Sequence, residues 1–478
     1  MKLCRLLNRV AVIEIIGNAE REILELAHNT KNIKSEALFF CIDGQNEDGH
    51  NYINEAIARG AVAAVVSRRL SINIPQVVVK NTRRAMSVIA QNFYDNPAEK
   101  MKIIAVTGTN GKTSTCLIIK SILDKAGKQS GIIGTNGIWV KNERYDCDLT
   151  TPDPIILNET LDKMYREGVT YVAFEASAHA IKLNKLDGIV ADIAIFTNLS
   201  QDHLDFFKTM ENYADTKRSF FTKKFARTAV VNADDSLGLN LALEPSLPTI
   251  SYGVSNPCDV FAVDYFEMDK KSFYLLNLND NLLHIETALT GLYNVYNAMA
   301  AATACWVLGI KISALAQGIN SIKEIEGRCN RIDINGIEII VDFAHTPDGM
   351  SNILSYLKDK GRIITVFGCG GNRDRDKRSK MGSVASDYSK FIFLTEDNSR
   401  NEKVEDIISE IEKGVTIPHT IIYDRKKAII EALNYAKSGD IIAILGKGAE
   451  KYIIKNDKLI LHNDMEFLIK LKNEGNYK

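Results

Sequence analysis

The stretch KIIAVTGTNGKTSTCLIIKSIL, Lys102 to Leu123, sets a short apolar run against a burst of Gly, Thr and Asn, then opens a second apolar run at helical spacing with Lys112-Thr113. The pattern reads as strand, glycine turn and helix. Gly108 and Gly111 let backbone N–H groups close on phosphate oxygens around Thr109 and Asn110, and the helix starting near Lys112 adds its positive dipole end. Lys112 would reach the β- and γ-phosphates of a nucleoside triphosphate, and the Thr113 hydroxyl would hold Mg²⁺. The loop departs from the strict GxxxxGK[ST] spacing, because Val106 stands five residues before Gly111. An ordinary glycine turn is the competing reading, and Lys-Thr at the helix start weighs against it.

Around this stretch, apolar runs alternate with helical patterns. YVAFEAS, IAIFTNLS and TAVVNADD each end in polar residues, as parallel strands do when a site lies at their carboxyl ends. GLYNVYNAMAAATACWVLG reads as a long helix with small residues on its packing face. A polar, proline-containing break at Asn96–Met101 marks a first boundary, preceded by the short strands ALFFCIDG, AVAAVV and PQVVV. A second falls near EIEGRCNRIDING, after which IEIIVDFAHTPDG, RIITVFGCGG, KFIFLTEDNS and DIIAILGKGAE repeat the strand-then-site pattern. The expected domains are 1–97, 98–329 and 330–478. They form an α/β protein with a small N-terminal α/β domain, a central P-loop-like ATPase domain on a mostly parallel sheet, and a C-terminal Rossmann-like domain.

Composition agrees with such a protein and excludes other classes. A chain of 478 residues is too long for one core. With 59 basic and 60 acidic residues, no overall field draws it to nucleic acid or to a membrane surface, so any anion site must be local. Eight cysteines without a CxxC pair suit reduced thiols, expected in the core of a cytoplasmic protein. No apolar run approaches the roughly 20 residues needed to span a bilayer.

Further polar groups sit at the strand ends: Glu175 closes YVAFE, His203 and Asp205 lie in NLSQDHLD, and Lys217 follows in ENYADTKRSF. Singly, each could be structural. Beside a phosphate loop, a carboxylate and an imidazole suit magnesium ions carrying ATP.

VTGTNGKTST, LTTPD, EASAHA, TNLSQDHLDFFKTMENYADTKRSFF, GLYNVYNAMAA, VDFAHTPDGM, FGCGGNRDRDKR, EDNSR and LGKGAEKY occur in the order expected of a Mur ligase, and the whole chain resembles that family. Thr150-Thr151-Pro152-Asp153 and the ending most resemble its tripeptide-forming branch. The resemblance implies an ATP-dependent ligase of peptidoglycan synthesis, working as a monomer. In that family a carboxylate takes the γ-phosphoryl group and an amine then displaces phosphate to form an amide. Crowded anions in such a reaction require cations.

By resemblance, one Mg²⁺ belongs to Thr113 and Glu175 and a second to His203, and Lys217 matches the family's carbamylated lysine (N6-carboxylysine). Asn294 and Asn297 match the adenine site, and Arg328, Asp342 and His345 match ATP-contacting positions. Thr30, Thr150, Thr151, Ser177 and Lys185 fall where the UDP-N-acetylmuramoyl-dipeptide is held. The chain departs from the family's pattern at Asn29-Thr30-Lys31, Leu183, Lys185 and Asn330. For the incoming amino acid, Arg373, Asp397, Asn398, Arg400, Gly446 and Glu450 are the matched residues, and meso-diaminopimelate is the expected one. Arg400 suits a distal carboxylate and Glu450 a distal ammonium. Ser399 replaces the family's proline, so the loop lacks that fixed φ. L-Lysine or ornithine is the alternative substrate. A folylpolyglutamate synthase or a non-catalytic Mur-like nucleotide or UDP-sugar binder are the alternative functions.

Overall fold

The strand Lys102–Thr107 lies in the middle of an eleven-stranded sheet, because its residues have apolar partners on both sides. Ile104 and Val106 enter one core, under the helices Lys112–Lys125, Leu292–Val307 and Ile312–Asn320; Ile103 and Ala105 enter the core on the opposite face. Alternate side chains leave a strand on opposite faces, so a run apolar at every position fits only a sheet covered twice. Tyr171–Glu175 and Ala191–Phe196 pair with it in parallel on either side. Their carboxyl ends therefore deliver Glu175 and the segment running on to His203 beside the glycine turn. The computed structural model describes residues 1–44 and 47–474.

Two antiparallel extensions complete this sheet. One is the meander Val260–Met268, Lys271–Leu278 and Asn281–Thr287. The other runs from Ser130–Gly134 through Gly137–Val140 to Glu143–Tyr145.

A five-stranded sheet precedes the central one, with Ala37–Phe40, Ala61–Val66 and Gln76–Val79 parallel and Val12–Ile16 antiparallel at one edge. Its helix Thr82–Phe93 docks on the central domain: Gln91 Nε2 donates to Asp187 O at 2.8 Å and Ser87 Oγ to Asn184 O at 2.6 Å. The buried Asp187 carboxylate pairs with Arg84 at 3.0 Å and Lys224 at 2.8 Å. A third sheet of six strands follows, in which Ile337–Asp342, Ile441–Leu445, Ile363–Phe367, Phe391–Leu394 and His419–Ile421 run parallel in that order. Its carboxyl ends face the central site. Of the eight free cysteines, Cys41, Cys116, Cys305 and Cys369 are buried, whereas Cys4 is exposed and the other three are half-buried, so the core expectation holds for half of them. Among the described residues no helix is long and apolar enough to cross a membrane.

Candidate active site between the central and C-terminal domains

The glycine turn is shaped by packing as much as by its openness. A Cβ on Gly108 (φ +151°) would stand 1.8 Å from Thr197 Oγ1, and one on Gly111 (φ +86°) would stand 2.4 Å from Asn297 Oδ1. Glycine is required at both. The helix beginning at Lys112 has no side-chain cap, so its first N–H groups are free to meet an anion. Lys112 Nζ donates to the carbonyls of Gly108 at 2.9 Å and Thr109 at 2.7 Å, folding over its own turn. Burial lowers its pKa, while the Glu175 and Asp202 carboxylates act to raise it.

Glu175 is 1% exposed and collects donors. Oε1 accepts from Thr113 Oγ1 at 2.9 Å and Thr135 N at 2.8 Å, and Oε2 accepts from Thr135 Oγ1 at 3.1 Å. Arg328 Nη2 donates to Thr113 Oγ1 at 3.2 Å, and its guanidinium stacks on Phe343. A hydroxyl beside a buried carboxylate is an oxygen donor set that suits a hard divalent cation.

His203 adopts a left-handed conformation (φ +58°), which is uncommon for a non-glycine residue. Burial drives its imidazole pKa down to about 3, against the pull of Asp202, so the ring is neutral at physiological pH with a lone pair available to a metal. Lys217 lies behind the cavity wall on the helix Met210–Arg218. It is 0% exposed, its Nζ has no hydrogen-bond partner, and it sits 4.5 Å over the Tyr213 ring. Burial first, and then the Lys112 charge, push its pKa well below the usual lysine value. A neutral, orphaned amine there fits conversion to a carbamate, whose oxygens would have uses that the ammonium lacks.

A cavity of 1010 Å³ joins this region to the third domain. Its central wall carries residues Gly108 to Thr113, Thr150, Ser177, Glu175, His203 and Asn297. From the hinge and third domain come Arg328, Asp342 and His345, then Arg373, Asp397, Asn398, Arg400, Gly446 and Glu450. Other expected residues lie off this wall. Asn294 is one layer behind Asn297, whose Nδ2 donates to Asn294 Oδ1 at 3.2 Å. Thr151 donates through Oγ1 to Glu175 O at 2.6 Å, and its Oγ1 lies 3.1 Å from Ser177 Oγ. Lys185 is paired with Asp153 at 2.7 Å, and Asp153 is 3.7 Å from His28, so this lysine is already neutralised where the N-terminal domain meets the central one. Thr30 is buried in the short turn Thr30–Asn32. Asn330 accepts from Gly327 N at 2.5 Å and donates to Glu324, which ties the hinge together away from the cavity.

Arg400, in the loop after Phe391–Leu394, donates through Nη1 to Gly371 O at 2.9 Å and Asn398 O at 3.2 Å. Burial, then the neighbouring Arg373, lower its pKa. No proline is needed to hold this loop. Arg400 N donates to Ile454 O at 2.9 Å and accepts on its carbonyl from Asn456 N at 2.8 Å, so a hairpin edge fixes it. Behind it, the fully buried Arg378 donates to Gly370 O and to both oxygens of Glu402.

The reading of the sequence missed Asp202. This residue, 3% exposed, is paired with Lys377 of the third domain at 3.0 Å and lies 3.5 Å from His345 and 3.4 Å from His203. Its one signal was adjacency to His203, and Lys377 was hidden in the charged run RDRDKR. Thr135 was missed too, although Gly134-Thr135-Asn136-Gly137 follows a strand. A Cβ on Gly134 would lie 2.3 Å from Glu175 Oε1.

The central and third sheets turn their carboxyl ends onto a phosphate cradle, a buried carboxylate and a cavity shared by two domains, and the chain belongs to the Mur ligase family. The family models match in three consecutive pieces: Mur ligase family, catalytic domain, over 22–108; Mur ligase middle domain over 106–305; and Mur ligase, glutamate ligase domain, over 327–448. The UDP-N-acetylmuramoyl-L-alanyl-D-glutamate--2,6-diaminopimelate ligase 1 of Clostridium acetobutylicum is 36% identical over 477 residues, covering 98% of each chain. A solved 2,6-diaminopimelate ligase of the same description superposes with a TM-score of 0.70 at 28% identity over 99% of both chains. MurF of Thermotoga maritima in complex with ADP shares the fold, with a TM-score of 0.64 at 19% identity over 89% of this chain and 94% of that one.

Proposed function

We propose that this protein is an ATP-dependent amide ligase that adds meso-2,6-diaminopimelate to UDP-N-acetylmuramoyl-L-alanyl-D-glutamate in peptidoglycan precursor synthesis. The observation that carries the reading is one cavity with a phosphate cradle at one end and the Arg400–Glu450 pocket at the other. The name and full-length coverage of the Clostridium relative support it. ATP binding is supported by the loop and by the ADP complex of the Thermotoga fold relative. The units of the reading are 1–97 for the UDP moiety, 98–329 for ATP and 330–478 for the amino acid. In this reading the enzyme works in the cytoplasm as a monomer.

The residues divide the work by charge. Lys112 turns its ammonium from the turn carbonyls to the β- and γ-phosphates, and the N–H groups of Gly108 to Thr113 hold the remaining oxygens. Arg328 is close enough to Thr113 to reach the same phosphates. Thr113 and Glu175 would hold one Mg²⁺ and His203 and carbamylated Lys217 the other; bound there, the ions neutralise the triphosphate and the acyl phosphate. Asn294, Asn297, Asp342 and His345 frame the nucleotide. Thr150, Thr151, Ser177, Thr30 and Lys185 hold the muramoyl-dipeptide with its acceptor carboxylate toward the cradle. Arg400 and Arg373 take the distal carboxylate of diaminopimelate and Glu450 its distal ammonium, which leaves the reacting amine directed at the acyl carbon.

Incubation with ATP, Mg²⁺, the UDP-dipeptide and one candidate amino acid at a time, read by mass, tests the reading. The expected result is a new amide with meso-diaminopimelate. A product with L-lysine alone overturns the substrate assignment, and no product with any amino acid overturns the ligase.

A further inference from the structure

The loop after Ile441–Leu445 holds a cation that none of these roles uses. Lys447 is 0% exposed and lies behind the cavity wall. Its ammonium donates to Glu450 Oε2 at 2.7 Å, to Tyr452 O at 2.8 Å and to Asn398 Oδ1 at 3.1 Å, and Asp397 Oδ1 is 3.9 Å away. An ammonium has three N–H donors, and all three are spent. Asn398 is fixed in turn, with Nδ2 donating to Glu450 Oε2 at 2.8 Å and Oδ1 accepting from Ile454 N at 2.9 Å. One oxygen of Glu450 is thus tied from two sides, while Oε1, which takes neither bond, remains for a ligand in the cavity that Glu450 lines.

The charges at this end of the cavity add up to a preference. Arg373, Arg400 and Lys447, with Lys451 on the cavity wall, oppose Asp397, Glu450 and the nearby Asp205, so the cations outnumber the carboxylates by one. A ligand whose distal end is zwitterionic is tolerated there, whereas one whose distal end is a bare ammonium is disfavoured. We propose that Lys447 is a positioning residue that sets diamino-acid specificity: it presents one Glu450 oxygen to the substrate ammonium and supplies the charge that keeps the pocket open to a distal carboxylate. The inference rests on the diaminopimelate reading of the site.

The test uses the full-length enzyme with ATP, Mg²⁺ and the UDP-dipeptide, comparing meso-diaminopimelate with L-lysine for wild type, Lys447→Met and Lys447→Gln. Gln keeps two of the three N–H donors while removing the charge, so it reports even where Met disturbs folding. The KM for diaminopimelate should rise at least tenfold, and the ratio of kcat/KM for diaminopimelate to that for L-lysine should fall at least tenfold. The KM for ATP should stay within twofold of wild type. An equal loss with both amino acids, leaving the ratio unchanged, would make Lys447 a structural prop and overturn the proposal. A wild-type enzyme that ligates neither amino acid strikes down the reading of the site and this inference together; one that uses diaminopimelate while both variants keep its ratio strikes down the role of Lys447 alone.

Discussion

A lysine with no solvent and no hydrogen-bond partner is costly, and Lys217 is the residue at which stability and activity should part. An ionised ammonium in that position costs several kcal/mol relative to an apolar isostere. The protein answers by depressing its pKa. In CO₂-free buffer, Lys217→Met should therefore raise Tm while leaving the enzyme nearly inactive. Between the depressed folded pKa and the ordinary value of 10.5, the unfolded chain binds a proton that the folded chain does not, so wild-type stability should climb with pH across that window. The Met variant should lack that slope. Calorimetry at several pH values reads both effects. For activity, Lys217→Ala should regain part of its rate from a short carboxylate in solution, and an unmodified lysine in electron density of the fully liganded enzyme would refute the carbamate. Lys112→Ala should lower kcat by about 10²–10³-fold, the usual size for one preorganised donor, without unfolding the chain.

At the scale of elements, the proposed function makes the loops at the strand ends the parts that choose the amino acid. The loop after Phe391–Leu394 is fixed by the backbone hydrogen bonds of Arg400 to Ile454 and Asn456, and Arg378 braces it through Glu402. Arg400→Ala should raise the KM for diaminopimelate while leaving the KM for ATP near wild type, and a variant in which both rise together would place the guanidinium elsewhere. What the sequence made legible here was local. Lys112-Thr113 sits on the strand–turn–helix that it serves, so seven consecutive residues carried the reading, and the parallel strands were recognisable as uninterrupted apolar runs. The meander Val260–Thr287 was not, because half-buried antiparallel strands alternate weakly and VFAVDYFEM contains no turn signal to bound it. Glu450 was legible as a motif residue, but its partner Lys447 was not, since only the meeting of two loops makes that lysine a buried one. The hairpin that stands in for the missing proline is formed by residues 452–461, too far along the chain for any local pattern to span.

For the whole molecule, the question is what brings the third domain onto the central one. The N-terminal domain is welded through Asp187, Gln91 and Ser87. Around the cavity the central and third domains meet through several polar pairs, among them Asn110 Nδ2 to Asp348 at 2.8 Å, Gln201 Nε2 to Asp374 at 3.1 Å, Lys360 to Glu267 at 2.5 Å, and the Asp202–Lys377 pair, both side chains of which are 5% exposed. Burial opposes the charge on Asp202, yet Lys377, with His345 and His203, holds its carboxyl well below the ordinary range. The attraction is therefore present above the unfolded carboxylate pKa of about 4 and is lost only as the pH falls through the depressed folded value. Removing Lys377 leaves a buried carboxylate short of its strongest partner, a loss of about 3–5 kcal/mol for a closed structure. Opening the domains lets water restore part of it. Lys377→Met should accordingly shift the molecule toward a more open form at pH 7, seen as a larger radius of gyration in solution scattering. It should lower kcat about tenfold and leave the KM for the UDP-dipeptide unchanged, since the weld that holds that side is untouched. Unchanged scattering together with an unchanged kcat would mean that Asp202 serves its own domain through His203 and that closure depends on other contacts.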